Sequence, residues 1–501
     1  MTRRLTCLFV LLALSAAARA QAPADKPDKT PKPDLPPLPK ESETSGVVTI
    51  DGKKVEYQAT AGTLPIKDDD GKTTANVFYV AYTKKNESVK DRPVTFCFNG
   101  GPGSSSVWLH VGAFGPKRVQ LTDDGEAPKP PAKVIENEYS LLDLTDLVFI
   151  DPVSTGYSRP VEAKDAKQFH GYQEDLQSVG EFIRMYTTRN ERWKSPKFLA
   201  GESYGTTRAS ALAGHLQDRV GMRPNGILLI SAVLNFETLS PGEGNDLPYA
   251  LYLPTYTATA WYHKKIGKES TGDLHKLLEE SQKFAEGDYT LALMKGNRLS
   301  DDARREAART MAHLTGLSEE YVLRANLRVD PGRFRAELLR DKGNTVGRYD
   351  SRLVGKDLDA LGERPEYDAS YAAVQGPFTG AFNEYVRDDL KYKSDLPYEI
   401  LTGKVQPWNW GNAASNRFLN VAPSLRRAMT ENRSLRVFVA NGYYDLATPY
   451  FATRYTFDHL GDKALSERVT MTYYDAGHMM YINKPSLKRL KEDVAKFLQE
   501  K

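Results

Sequence analysis

The segment Lys197-Phe198-Leu199-Ala200-Gly201-Glu202-Ser203-Tyr204-Gly205 holds the key to this 501-residue chain. Four residues of buried-strand character run into Gly-x-Ser-x-Gly, and an apparent helix opens behind them and continues towards Leu216. A serine at such a strand-to-helix turn needs small neighbours, because the bend that lifts its hydroxyl above a sheet leaves little room beside it. Alone, the five-residue pattern arises by chance too often to carry an argument. In this context it makes Ser203 the candidate nucleophile.

Further strands read outward from that point. Near-continuous apolar runs recur at 94–98, 147–151, 227–231, 435–440 and 469–474, several followed by amphipathic helical patterns such as 172–187. Strands buried on both faces and alternating with helices imply an α/β protein whose central sheet is mostly parallel, with helices on both faces. Its site is expected at the carboxyl ends of the strands. Upstream, 47–50, 55–57 and 76–82 read as strands, with Asp51-Gly52 as a hairpin turn. Between 236 and 398 the strand rhythm gives way to polar helical patterns at 274–284, 300–314 and 318–325. This span reads as an inserted helical cap, with an independent domain as the alternative.

A serine nucleophile needs a base, and the base a carboxylate. In the order Ser, acid, His, each partner should follow a late strand. The run 435–440 leads into Asn441-Gly442-Tyr443-Tyr444-Asp445, and 469–474 leads into Asp475-Ala476-Gly477-His478. His478 is therefore the expected base and Asp445 its orienting acid, with Asp475 and Asp151 as competitors at other strand ends. His110, His170 and His215 follow no late strand and read as packing or surface residues. One oxyanion donor is the backbone N–H of Tyr204, after the nucleophile. The other should come from an earlier loop, and 94–98 exits into Asn99-Gly100-Gly101-Pro102-Gly103-Ser104, where glycine lets the backbone approach a substrate.

With these residues in hand the chain resembles the serine carboxypeptidase family, which carries N-G-G-P-G and G-E-S-Y on an α/β-hydrolase core with a capping insertion. Asn99 to Gly103 and Gly201 to Gly205 match those motifs, and Gly442-x-x-Asp445 and Gly477-His478-Met479 look like the acid and histidine segments. The resemblance runs in order from about Arg92 to Pro485, the insertion matching poorly. It implies release of one amino acid from the carboxyl end of a peptide through an acyl-enzyme on Ser203. It further implies that Asn99 and Glu202 hold the terminal carboxylate and that the N–H groups of Gly101 and Tyr204 form the oxyanion hole. An ionised Glu202 would repel a carboxylate, so Glu202 is expected to be protonated and binding to be best in acid, while His478 must have its pKa held below the working pH.

The chain also departs from the family. Ser104 stands where many members have cysteine, which fits a bacterial-type branch without the family's disulfides. Ala113-Phe114-Gly115-Pro116 replaces E-x-G-P, leaving Glu202 without a second carboxyl. Residues 151–158 look like a shortened D-x-P-x-G-x-G-[FY]-S, with Tyr157 as a pocket wall. Aromatic clusters at 347–352 and 406–410 either line the pocket or, the preferred reading, pin the insertion to the core. The same triad would also serve an esterase, an acyltransferase or a proline-releasing aminopeptidase, and a binding protein without turnover is the reading from another class.

Composition bounds the partners. Residues 1–20 read as an export signal: Arg3 and Arg4, then an apolar run ending near Ala17, then Ala18-Arg19-Ala20. That run falls short of the ~20 residues that span a bilayer. Without Arg3, Arg4 and Arg19, basic and acidic side chains balance, so no net field draws the protein to nucleic acid or an anionic membrane. Residues 21–45, with seven prolines, read as a disordered tether. The α/β core is then expected over 46–235 and 399–501, flanking the insertion 236–398. Cys97 is the single cysteine after residue 20, and no metal motif or phosphate loop is present. The expected protein is exported, periplasmic or secreted, acts on peptides and needs no cofactor.

Overall fold

Val94–Phe98, Asp146–Ile150, Lys197–Glu202 and Gly226–Ile230 are buried at every position, which is why each reads as an unbroken apolar run rather than an alternating one. The computed structural model describes residues 38–500 apart from 69, 267–272, 416 and 417. The expected export segment 1–20 and the tether as far as residue 37 lie outside the described residues. The strands are β1 Ser42–Ile50, β2 Lys53–Lys67, β3 Thr73–Lys84, β4 Val94–Phe98, β5 Asp146–Ile150, β6 Lys197–Glu202, β7 Gly226–Ile230, β8 Arg436–Gly442 and β9 Val469–Tyr474. With Arg159–Pro160 on β3 they form one ten-stranded sheet in the order β1-β2-β3-β5-β4-β6-β7-β8-β9.

The chain therefore enters as an antiparallel meander and continues as a parallel sheet. β1, β2, β3 and β5 pair antiparallel, and every pair from β5 to β9 is parallel. Asp51 (φ 47°) and Gly52 (φ 75°) are both left-handed, as a two-residue hairpin with matching twist requires. β1 begins at Ser42, inside the span expected to be tether. Its polar Ser42-Glu43-Thr44-Ser45 is held by backbone pairing to 58–61 of β2, which composition does not register.

Alternate side chains of the parallel strands face different helices. Leu199, Ile227 and Val437 join one apolar core with Phe182 and Ile183 of α1 (Tyr172–Arg189) and Leu212 of α2 (Tyr204–His215). Phe198 and Phe438 instead meet Phe497 of the helix Lys484–Gln499. The sheet is thus covered on both faces. β4 connects onward to β5 on one side and β6 to β7 on the other, so the order reverses between β4 and β6, and a crevice opens beyond their carboxyl ends.

Between β7 and β8 the chain is mainly helical, including α3 (Leu247–Tyr262), Leu274–Phe284, Asp301–Thr315 and Ala369–Asp388. Ser300 caps the third of these by accepting from Ala303 N, and Gly316 ends it at φ 69°. Its Ala308, Met311 and Leu314 enter a second apolar core. That core also contains Tyr450 and Phe451 of the helix after β8, and Pro39–Lys501 is one compact unit. A short antiparallel pair, Thr345–Val346 with Val354–Gly355, interrupts the helical pattern and sends the loop 347–353 back to the sheet. There Leu446 N donates to Arg348 O and Ser351 N to Tyr444 O.

Candidate active site

Ser203 sits between β6 and α2 with φ 59° and ψ −129°, a conformation that costs a non-glycine residue about 1–3 kcal/mol and persists only where its surroundings enforce it. They do so by contact. A Cβ on Gly201 would lie 2.1 Å from Gly205 O, and one on Gly205 would lie 2.7 Å from Phe98 O. Ser203 N donates to Ile230 O at 3.0 Å, and its carbonyl accepts from Thr206 N and Oγ1.

The loop after β4 closes over this turn. A Cβ on Gly100 would lie 2.4 Å from Tyr204 N, so the glycine is what allows the two backbones to touch. The N–H groups of Gly101 (φ 100°) and Tyr204 have no partner among the described residues. Arg208, fully buried on α2, ties the loop down. It donates to Asn99 O and to Asp175 Oδ2 (2.8 Å), while its guanidinium lies 5.4 and 5.3 Å from the rings of Phe98 and Tyr204.

His478 and Asp445 converge from the ends of β9 and β8. His478 Nδ1 and Asp445 Oδ2 are 2.7 Å apart. Asp445 Oδ1 accepts from the N–H of Ala447 and Thr448, and the Thr448 hydroxyl donates to Oδ2 at 2.6 Å. A carboxylate so engaged accepts a hydrogen bond from Nδ1–H, which leaves Nε2 as the acceptor facing the cleft. The cleft is lined by Ser203, Glu202, Asn99, Gly101 and His478 together. Among the described residues Ser203 Oγ makes no hydrogen bond to His478; such contacts tighten once substrate is bound. Asp475 is exposed and meets Arg352 through its carbonyl, and Asp151 is bound to Ser106 N and Oγ. Neither competitor reaches the imidazole by any hydrogen bond described.

The proton affinity of His478 differs from expectation. Burial, the largest single influence, pushes its pKa down, but the Asp445 carboxylate and the charge of Glu202 outweigh it and leave the group above its ordinary value. The two carboxylates that act on the imidazole come from β6 and from the segment after β8, and neither stretch alone reveals their combined field.

Glu202 is buried at the end of β6, and desolvation pushes its pKa up to about 7 against the opposing pull of His478, Tyr481 and Asn99. Tyr481 Oη donates to Glu202 Oε2 at 2.7 Å. Asn99 Oδ1 is occupied by Leu109 N, which turns its amide donor towards Glu202. A phenol therefore stands beside Glu202, and Ala113 is buried on the segment Leu109–Phe114. Tyr481, Thr448 and Arg208 all escaped the sequence reading. Thr448 follows the acid by three residues and Tyr481 follows the histidine by three, but neither interval is a signal without the structure.

Other expectations sort by burial and contact. His110 is stacked on Phe149 and bonded to Tyr82 Oη at 2.7 Å, with its pKa pushed down to about 3 by burial, and His170 meets Ser154 Oγ at 2.8 Å. Tyr157 is not a pocket wall: it is buried among Phe78, Tyr392 and Tyr398. Trp408 and Trp410 pack against Tyr204 within the core that α1 and α2 share with the sheet, not between insertion and core. Arg348 and Tyr349, by contrast, line the cleft, and Tyr349 lies against the His478 ring, centroids 5.0 Å apart. Among the described residues no group of three or more His, Cys, Asp or Glu is placed to hold a metal ion.

The pattern that defines the family described as "Serine carboxypeptidase" matches residues 50–491. This chain belongs to that family. It is 22% identical over 482 residues to the lysosomal protective protein of Mus musculus, covering 93% of this chain and 87% of that one. It is 25% identical over 268 residues to serine carboxypeptidase-like 50 of Arabidopsis thaliana, a match that spans only about half of each chain (52% and 53%). Among solved structures it resembles Kex1(Δ)p, a prohormone-processing carboxypeptidase from Saccharomyces cerevisiae, at 19% identity, with a TM-score of 0.55 and coverage of 88% and 91%. That likeness bears on the fold, which is the α/β-hydrolase fold of this family member: a mostly parallel sheet between helices, with its crevice above β4 and β6.

Proposed function

We propose that this family member is a serine-type carboxypeptidase that releases C-terminal amino acids from peptides. The observation that carries the reading is a buried Glu202, pKa near 7, held beside Asn99 in the same cleft as Ser203. A carboxyl that keeps its proton can donate to a carboxylate where an ionised one would repel it. The substrate terminus would lie between Glu202 and the Asn99 amide, setting the last peptide carbonyl over Ser203.

Ser203 Oγ attacks that carbonyl as His478 Nε2 takes its proton, and Asp445 stabilises the imidazolium. The oxyanion meets the N–H groups of Gly101 and Tyr204. His478 returns the proton to the departing amine; water then cleaves the acyl-enzyme by the same route. We read the insertion 236–398 as a cap over this cleft.

The test is release of the C-terminal residue from N-blocked dipeptides between pH 4 and 8, with a simple ester and a free-amino-terminus anilide alongside. Turnover of the ester or anilide alone would leave the triad standing and remove the assignment of Asn99 and Glu202.

Tyr481 offers a finer check. Its hydrogen bond lowers the proton affinity of Glu202, so Tyr481→Phe should move the rise of KM with pH to higher pH, by up to about one unit, for the loss of one hydrogen bond to a charged group. A limb that stays in place or moves to lower pH would show that the phenol does not act on Glu202.

We also read the protein as exported, to the periplasm or the medium, with cleavage after Ala20. Among the described residues no helix is long and apolar enough to cross a membrane. The intact mass of the protein recovered outside the cytoplasm should correspond to a start at Gln21; a start at Met1 would overturn the reading.

A further inference from the structure

Glu202, His478 and Arg348 are the charged side chains lining the cleft. The first two have roles in the reaction proposed above. Arg348 has none, and it is solvent-facing. Its backbone is pinned on both sides: its N–H donates to Asp368 Oδ1 at 2.8 Å, and its carbonyl accepts from Leu446 N at 3.0 Å. Its guanidinium lies over the ring of Tyr349, 5.4 Å from the centroid, and Tyr349 in turn lies against His478. Among the described residues the guanidinium makes no ion pair and no hydrogen bond.

The carboxylates closest in effect are already engaged. Asp445 is closed by His478 and Thr448. Asp368 serves Ser370, the Arg348 backbone and, at 3.7 Å, Arg335, all through Oδ1; its Oδ2 is buried and makes no hydrogen bond to the Arg348 guanidinium. A fixed cation over an aromatic ring, at the rim of a reaction cleft and without an anion of its own, is a site for an anion that arrives with the substrate.

Its place relative to the scissile bond follows from its company. Glu202 is grouped with Tyr481 and Asn99, whereas Arg348 lies over Tyr349, which packs on His478, and its carbonyl is bonded to Leu446, the residue after Asp445, on the acid side of the imidazole. A peptide with its terminus at Glu202 and its last carbonyl at Ser203 leads its penultimate residue away from Glu202, towards Arg348. We propose that Arg348 selects peptides whose penultimate residue is acidic, Asp or Glu. This assignment rests on the carboxypeptidase reading and narrows its substrate class.

The test uses N-blocked dipeptides with C-terminal Leu and penultimate Glu, Gln, Leu or Lys, on the wild type, Arg348→Gln and Arg348→Glu. A fluorophosphonate label confirms that each variant keeps an intact Ser203 site. The wild type should favour Glu over Gln by about two- to fivefold in kcat/KM, the scale of one charge-assisted pair open to solvent. The preference should shrink as salt rises, vanish in Arg348→Gln and turn towards Lys in Arg348→Glu. Equal rates for Glu and Gln in the wild type, or a preference that survives in Arg348→Gln, would overturn the assignment of Arg348 while leaving the activity in place. If no blocked dipeptide is cleaved, the leucyl one included, the carboxypeptidase reading falls and this inference with it.

Discussion

Ser203→Ala is expected to lower kcat for a blocked dipeptide by about five to six orders of magnitude, and His478→Ala by a similar factor. The proposed triad would act as a unit, so the double variant should be hardly worse than either single one. Asp445→Asn should cost about 10⁴-fold, because an amide at that position can offer a donor to Nδ1 and favour the wrong tautomer. Binding should survive all three changes, since the proposed oxyanion donors are backbone groups and the proposed terminus contacts lie on Asn99 and Glu202. Stopped assays with purified variants, checked for fold by thermal melting, measure this. An Asp445→Asn enzyme of nearly full activity would remove Asp445 from the triad despite its 2.7 Å contact with His478.

Glu202→Ala should lower kcat/KM by about 10²- to 10³-fold, mostly through KM, the cost of truncating one partner of a buried hydrogen-bonded charge pair. A C-terminally amidated substrate, which has no carboxylate to recognise, should lose far less. Because Glu202 has its pKa pushed up to about 7, its donating form dominates below that pH, and KM in the wild type should climb as pH rises through about 7. Glu202→Gln keeps a donor that cannot ionise and should flatten that climb. Protonating Glu202 also removes one of the two charges that raise His478, so the neutral carboxyl and the neutral imidazole favour each other. Activity should therefore peak nearer neutrality than an acid-adapted site would, with the two groups titrating as a coupled pair. A wild-type KM that stays level from pH 4 to 8 would sink the proton-sharing account.

Much of this was legible because the decisive features are local. The elbow at Ser203, the glycine loop after β4 and the strand ends before Asp445 and His478 each depend on a few consecutive residues whose backbone must bend or approach closely. The contacts that tune them come from far along the chain. Tyr481 reaches Glu202 across 279 positions and Arg208 reaches Asn99 across 109, and no periodicity in the sequence marks either. The protonated state of Glu202 follows from the carboxylate it is expected to hold, whereas the field on His478 needs the positions of two carboxylates at once. The start of β1 escapes composition for another reason: an edge strand can be polar and still pair through its backbone. Composition reads the cluster 347–352 as packing, and its loop does bond to the segment after β8. Only the direction of two side chains, Arg348 and Tyr349, makes it part of the cleft.

Cys97 lies on β4 at the centre of the sheet, buried, with its thiol pKa pushed up by desolvation. In residues 21–501 it is the sole thiol. A thiolate reagent can reach it only when the strands on either side part, so the rate of alkylation counts openings of the whole sheet rather than motions of its loops. The protein thus carries its own clock for unfolding, and that clock can be read without disturbing catalysis and in the presence of any reductant that leaves the alkylating agent intact.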